Sequence, residues 1–203
     1  MDYISTLLTL AGVLLLSVAS PGPNFVIVTS SAAVSRRAGM ATGIGLAAAS
    51  GTWALIAITG LRLVFSHTTW IEAALRFAGA VYLIWLGIKM IRTARQPLPD
   101  QDRSTTSDWS AAKKGYLVSM TNPKSVAFYG SVFALLVPAH APTWLGVAVV
   151  GLAVGISCGW YCAMALLASH PAIRLTLIRR KAVLDSTAGV VLVALGSRML
   201  VTR

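Results

Sequence analysis

Apolar residues in this chain run together with hardly a polar interruption, at about Ile4 to Thr29, Gly39 to Leu61, Trp70 to Ile91, Gly115 to Val137, Thr143 to Ala168 and Ala182 to Val201. Each run is near or above the ~20 residues an α-helix needs to cross a hydrocarbon core. Membrane strands would alternate apolar and polar residues over about ten positions, and these runs are apolar on every face. The pattern predicts an all-α membrane protein with six transmembrane helices. Ahead of the first run stands Asp2 rather than a basic start, and the run exceeds the usual 7 to 15 residues of a signal core. It reads as a permanent span.

One segment breaks the pattern differently. Residues 96–110 carry Pro97, Pro99, Asp100, Asp102 and Asp108 among serines and threonines, the composition of a flexible linker. It divides the chain into residues 1–95 and 111–203, three spans on each side. Three is odd, so the second half must enter the membrane inverted relative to the first, the layout of an inverted repeat.

Helix breakers fall at equivalent places in the two halves: Ser20-Pro21-Gly22-Pro23-Asn24-Phe25 in span 1 and Thr121-Asn122-Pro123-Lys124-Ser125 in span 4. Proline removes a backbone donor and clashes with the preceding turn, and glycine adds backbone freedom. Such interruptions leave amide and carbonyl groups open at membrane depth, where they are tolerated only inside protein or against a wet cavity. A single break reads equally well as a structural kink; two in register point to a site.

Composition supports the membrane reading: 56% hydrophobic and 11% charged residues, against roughly a quarter charged in soluble domains, with a mean hydropathy of +0.75. The net charge of +11 would suggest nucleic acid in a soluble protein, but its placement excludes that. Arg36 and Arg37, then Arg92, Arg95, Arg103, Lys113 and Lys114, then Arg174, Arg179, Arg180 and Lys181 fall on alternate connections, whereas the other connections hold Arg62 and Arg203, with Arg198 just inside the last span. By the positive-inside rule the three basic connections face the cytoplasm and both termini face out. The chain is expected in a bacterial inner membrane, its basic loops attracted to anionic lipid of the bilayer.

Lys124 carries the chemistry of this reading. If span 4 begins near Gly115, its Cα lies about 14 Å deep, near the centre of a core about 30 Å thick, where a cation usually marks a functional pathway, a partner charge or a wet cavity. No carboxylate is expected at that depth, Glu72 belonging near the outer surface and Asp185 near the inner end of span 6. The missing anion is then the substrate, and an amino-acid carboxylate fits, with half-helix N-termini adding donors. Alternatively Lys124 bonds only to broken-helix carbonyls. Asn24 and Asn122 either cap the broken ends or hold a substrate amine. Asp185 is either a negative group at a helix N-terminus or a proton-coupling carboxylate at the cytoplasmic mouth.

The remaining polar residues read more plainly. Glu72 and Arg76 have the spacing of an interfacial ion pair. His67, His140 and His170 are scattered, so no metal is expected. Cys158 and Cys162 read as packing residues and not as a disulfide; a membrane thiol relay is the competing function they suggest. A divalent-cation exporter is a further alternative, against which stands the lack of acids in the spans. Gly39, Gly43, Ala47 and Gly51 have small-xxx-small spacing, for contact within one chain or between two copies in a homodimer. No nucleotide loop is completed and no catalytic constellation is present, so neither enzyme activity nor a cofactor is expected.

The breaker motifs, together with Gly79-Ala80-Val81-Tyr82-Leu83-Ile84-Trp85-Leu86-Gly87 in span 3, resemble bacterial lysine and homoserine/threonine exporters of the LysE/RhtB type over nearly the whole chain. The resemblance implies six spans, an inverted pair of three-helix halves, and export of amino acids or related metabolites by a proton-driven antiporter. It points to Pro21, Gly22, Pro23 and Asn24 with Asn122, Pro123 and Lys124 as the central site. Many relatives are expected to carry an acid in span 5, where this chain has Ser157, Cys158 and Gly159. A cavity so poor in acids favours a neutral amino acid over lysine or arginine.

Overall fold

In the computed structural model, residues 3–65, 69–96, 107–137 and 141–201 are described. All regular structure among them is helical: α1 Tyr3–Ala19, α2 Pro23–Val34, α3 Arg36–Phe65, α4 Thr69–Thr93, α5 Asp108–Thr121, α6 Pro123–Leu136, α7 Thr143–Ala168, α8 Pro171–Arg179 and α9 Lys181–Val201. By length and composition, α3 over Arg36–Gly60 and α7 over Thr143–Ala168 suffice to cross a membrane, and α1 with α2 makes a third crossing if taken as one span bent by 58°.

Two boundaries differ from the sequence reading. α5 starts at Asp108, inside the expected linker, because Ser107 caps it: the Ser107 hydroxyl accepts from the Ser110 amide at 3.1 Å, a strong start signal. The basic connection after α7 is not a loop but folds into α8, with Pro171 at its start, where proline's missing N–H costs nothing. Pro97, Pro99, Asp100, Asp102, His67, His140 and the Glu72–Arg76 pair lie outside the described residues and side chains.

α3 lies along both α5 and α7, while α4 lies along α9. Small residues make these approaches close. A Cβ at Gly45 would come 2.0 Å from the Ala112 carbonyl oxygen, and one at Gly115 2.5 Å from that of Thr42. Gly43 and Gly51, two of the small-residue positions whose partner the sequence left open, face Tyr161 and Val154 of α7, so that contact lies within the chain. Between the helices sit two apolar clusters. One is built on Leu10, Leu14, Phe128, Phe133 and Leu192; the other on Phe25, Ile27, Leu46 and Met164.

Cross-links sort the helix ends. Arg37 pairs with Asp108, joining the starts of α3 and α5. Lys181 Nζ, at the start of α9, donates to the Thr93 and Ala94 carbonyls at 3.2 and 3.1 Å, satisfying open acceptors at the end of α4. Elsewhere, Tyr3 of α1 and Trp144 of α7 meet edge to face with centroids 5.5 Å apart.

Candidate functional site

Both predicted breaks form, and for reasons local to each. Gly22, the residue before α2, is extended at φ −168° and ψ −164°, no side chain caps the helix, and Pro23 holds its first position. Proline biases the preceding residue away from helix and offers no N–H itself. The second break is one residue long. Asn122 ends α5 and begins α6 at φ −74° and ψ 112°, and its Oδ1 accepts from the Lys124 amide at 3.0 Å. Pro123 again holds the first position.

Asn122 is thus a cap, one of the two roles left open for it. Its amide also donates to Asn24 Oδ1 at 3.1 Å, and Asn24 Nδ2 donates to Ser119 Oγ and the Tyr161 hydroxyl, each at 3.2 Å. The two asparagines join the breaks to each other and to α7 in one network in which each polar end is satisfied within the protein, as buried amides require.

Lys124 Nζ donates to the carbonyl oxygens of Ser17 and Ser20 at 3.4 and 3.5 Å. These belong to the end of α1, where carbonyls are open and the helix dipole is negative. The expectation that no carboxylate shares the level of Lys124 is corrected. Asp185, on the second turn of α9 and only 3% exposed, accepts from Ser20 Oγ at its Oδ1 over 3.0 Å. Its Oδ2 lies 2.8 Å from Lys181 Nζ. Ser20 therefore stands between the ammonium and the carboxylate, its carbonyl facing one and its hydroxyl the other. Asp185 lies early in α9, where counting along the chain puts it, and the break in span 1 approaches it there.

Two cavities meet at this point. A pocket of about 20 Å³, lined by Ser17, Asn24, Ser50, Tyr129, Tyr161 and Lys124 among others, has room for about one water. A cleft of about 440 Å³ opens on its other side, bordered by Pro21, Pro23, Leu86, Met90, Lys181 and Asp185 among others, within the size range of small-ligand sites. Gly22, Asn122 and Lys124 line both, so Lys124 stands at the threshold. Of the predicted residues, Pro21, Gly22, Pro23, Asn122 and Lys124 border the cleft and Asn24 borders the inner pocket. Pro123 lines neither and acts as the start of α6. Among the described residues the cleft carries three ammonium groups, Lys89, Lys124 and Lys181, against the one carboxylate of Asp185.

Sequence reasoning missed Ser17, Ser20, Tyr161 and Lys181 as members of this site. Lys181 closes a basic run at a connection, Ser20 precedes the prolines of the first break, and Tyr161 lies in an unbroken apolar run with no local signal. Where an acid was expected in span 5, the Ser157 hydroxyl donates to that of Ser50 at 2.9 Å. Cys158 and Cys162 are free thiols with their sulfurs 4.0 Å apart. The arrangement presents charges of both signs across a roomy cleft, suited to holding a small zwitterion or anion.

The model of the LysE type translocator family matches residues 14–203. The threonine efflux protein of Escherichia coli strain K12 is 29% identical over 203 residues, covering 97% of this chain and 98% of that protein. The leucine efflux protein of Klebsiella pneumoniae subsp. pneumoniae is 30% identical over 149 residues, covering 72% of this chain and 70% of its own length. The homoserine/homoserine lactone efflux protein of Salmonella typhimurium is 33% identical over 110 residues, 54% of this chain and 50% of that one. No solved structure matches the chain significantly. With the family match running from span 1 to the end of the sequence, the chain belongs to the LysE type translocator family and is a translocator rather than an enzyme.

Proposed function

We propose that this protein exports neutral amino acids across a bacterial inner membrane by alternating access, with the proton gradient as driving force. The observation that carries the reading is Lys124 at the threshold of a cleft of about 440 Å³, between two interrupted helices. Its ammonium rests on the Ser17 and Ser20 carbonyls and turns to a substrate carboxylate when one enters. Pro21, Gly22, Pro23 and Asn122 shape that site, Asn24 braces it, and Pro123 starts the helix that carries Lys124.

Six spans in two inverted halves account for the packing. Helices at equivalent places lie on each other, α3 on α7 and α4 on α9. Pro23 and Pro123 each hold the first position of the helix that follows a break. A Cβ at Gly87 would meet the Gly189 carbonyl oxygen at 2.5 Å, and one at Gly189 the Gly87 oxygen at 2.7 Å, the reciprocal contact expected at a two-fold axis. The basic ends that Lys181 joins to α4 border the cleft. By the positive-inside rule that side is cytoplasmic, both termini face out, and this conformation receives substrate from the cytoplasm. Closing that mouth and opening the far side, now filled by the cluster around Leu10, Phe128 and Phe133, releases it.

Substrate neutrality follows from charge: three ammonium groups against one carboxylate repel a lysine or arginine side chain. Asp185 is the coupling carboxylate; Lys181 of its own helix pairs with it, and Lys124 of α6 with Lys89 and Tyr82 of α4 lines the same cleft. The test is counterflow of labelled amino acids in proteoliposomes, with and without a pH gradient. Exchange of neutral amino acids, with net efflux driven by the gradient, is the expected result. Exchange confined to lysine and arginine, or indifference to the gradient, contradicts the substrate or the coupling assignment respectively.

A further inference from the structure

Asp185 has two partners of different kinds. Lys181 reaches its Oδ2 at 2.8 Å while donating to two carbonyls at the end of α4, so this ammonium is fixed by three acceptors. Ser20 reaches Oδ1 with a neutral hydroxyl at 3.0 Å. Lys181 adds the attraction of a full charge to its hydrogen bond, whereas Ser20 offers a neutral donor alone, so the Oδ1 partner is the replaceable one, and Asp185 borders the cleft.

Ser20 also ties Asp185 to Lys124, accepting from the Lys124 ammonium through its own carbonyl at 3.5 Å. Ammonium and carboxylate are thus each one hydrogen bond from the same residue. An α-amino acid carries its carboxylate and ammonium on one carbon, and with a hydrogen bond added at each end it spans a gap of that kind. We propose that Asp185 binds the substrate's α-ammonium: the amino acid lies across Ser20 with its carboxylate on Lys124 and its ammonium on Asp185 Oδ1, displacing the Ser20 hydroxyl.

This assignment rests on the export reading and names the part of the substrate the protein reads. The zwitterion is recognised at its main chain, and the side chain is left to the Leu86 and Met90 wall of the cleft. Lys181 is a positioning residue, since it occupies Oδ2 and leaves Oδ1, with its neutral Ser20 partner, as the face a substrate can take. An α-hydroxy acid of identical side chain still finds Lys124 but offers no cation to Asp185, so it binds more weakly.

The test uses the full-length protein in proteoliposomes. L-alanine, L-threonine and L-leucine are compared in counterflow, and the fastest is set against its own α-hydroxy acid as inhibitor. Wild type is expected to prefer the amino acid at least about tenfold, one good charge-assisted bond being worth a factor of this order. Asp185→Asn is expected to bring that preference close to one by weakening the amino acid, with inhibition by the hydroxy acid changed less than about twofold. Ser20→Ala, which removes the competing donor at Oδ1, is expected to tighten the amino acid about threefold relative to its hydroxy acid and serves if Asp185→Asn does not fold. An unaltered preference in Asp185→Asn, an equal loss for both acids, or an amino acid no tighter relative to its hydroxy acid in Ser20→Ala overturns the ammonium assignment alone. A wild-type protein that exchanges none of the three amino acids overturns the export reading as well.

Discussion

Between α1 and α2 the chain leaves helix over Ser20, Pro21 and Gly22 and turns by 58°; between α5 and α6 only Asn122 departs. The second break is closed from within, because Asn122 caps the helix it starts. The first has no such residue, and α2 begins without a side-chain cap. Its exposed carbonyls are met instead by Lys124, which lies 107 and 104 positions along the chain from Ser17 and Ser20. The second break repairs itself and lends a cation to the first. The proposed site lies where the repair is borrowed, because a borrowed donor can be taken by a ligand without unfolding either helix.

Three substitutions sharpen that contrast. The largest effect is expected from Lys124→Met, which removes the lent cation while keeping an apolar stem. Exchange should fall roughly a hundredfold or more, the scale on which loss of one partner in a desolvated charge pair is felt, with membrane insertion intact. Counterflow beside a surface-expression assay checks both parts. Asn122→Ala attacks the self-repairing break and should act on stability first. It removes a helix cap worth about 1 kcal/mol and leaves Asn24 Oδ1 without its donor, for a total of roughly 1 to 3 kcal/mol, read as a lower unfolding midpoint in detergent. Gly22→Ala should do least. Its φ of −168° is open to any residue and a Cβ there meets nothing within 4 Å, so the midpoint should move by less than the equivalent of about 1 kcal/mol. A large loss would mean that the first break needs glycine itself rather than an unsatisfied helix end.

The sequence made the helices and both breaks legible because each rests on local chemistry: apolar runs of spanning length, and proline behind a polar or glycine residue. Lys124 stood out for the same reason, a charge set in an apolar run. What stayed hidden depended on which helices meet. Asp185 could be counted along α9, but only the approach of α9 to the first break puts its Oδ1 beside Ser20. Tyr161 carries no signal in its own run and becomes polar machinery only because α7 brings it to Asn24. The cap at Ser107 is local chemistry too, but the prolines and acids around it read as a linker; that cap begins α5 inside the segment.

The central claim is that the Lys124 ammonium stands in a water-accessible chamber and serves there as a replaceable charge. It is tested most directly with a Lys124→Cys variant in protein carrying Cys158→Ser and Cys162→Ser, a background expected to transport normally. Treatment with an aminoethyl thiol reagent restores a cation at this position. The account predicts that the untreated variant is inactive, that the reagent reacts, that a transported amino acid slows the reaction, and that exchange returns once the charge is back. A variant that exchanges at the wild-type rate before treatment, or a thiol that the reagent never reaches, contradicts it.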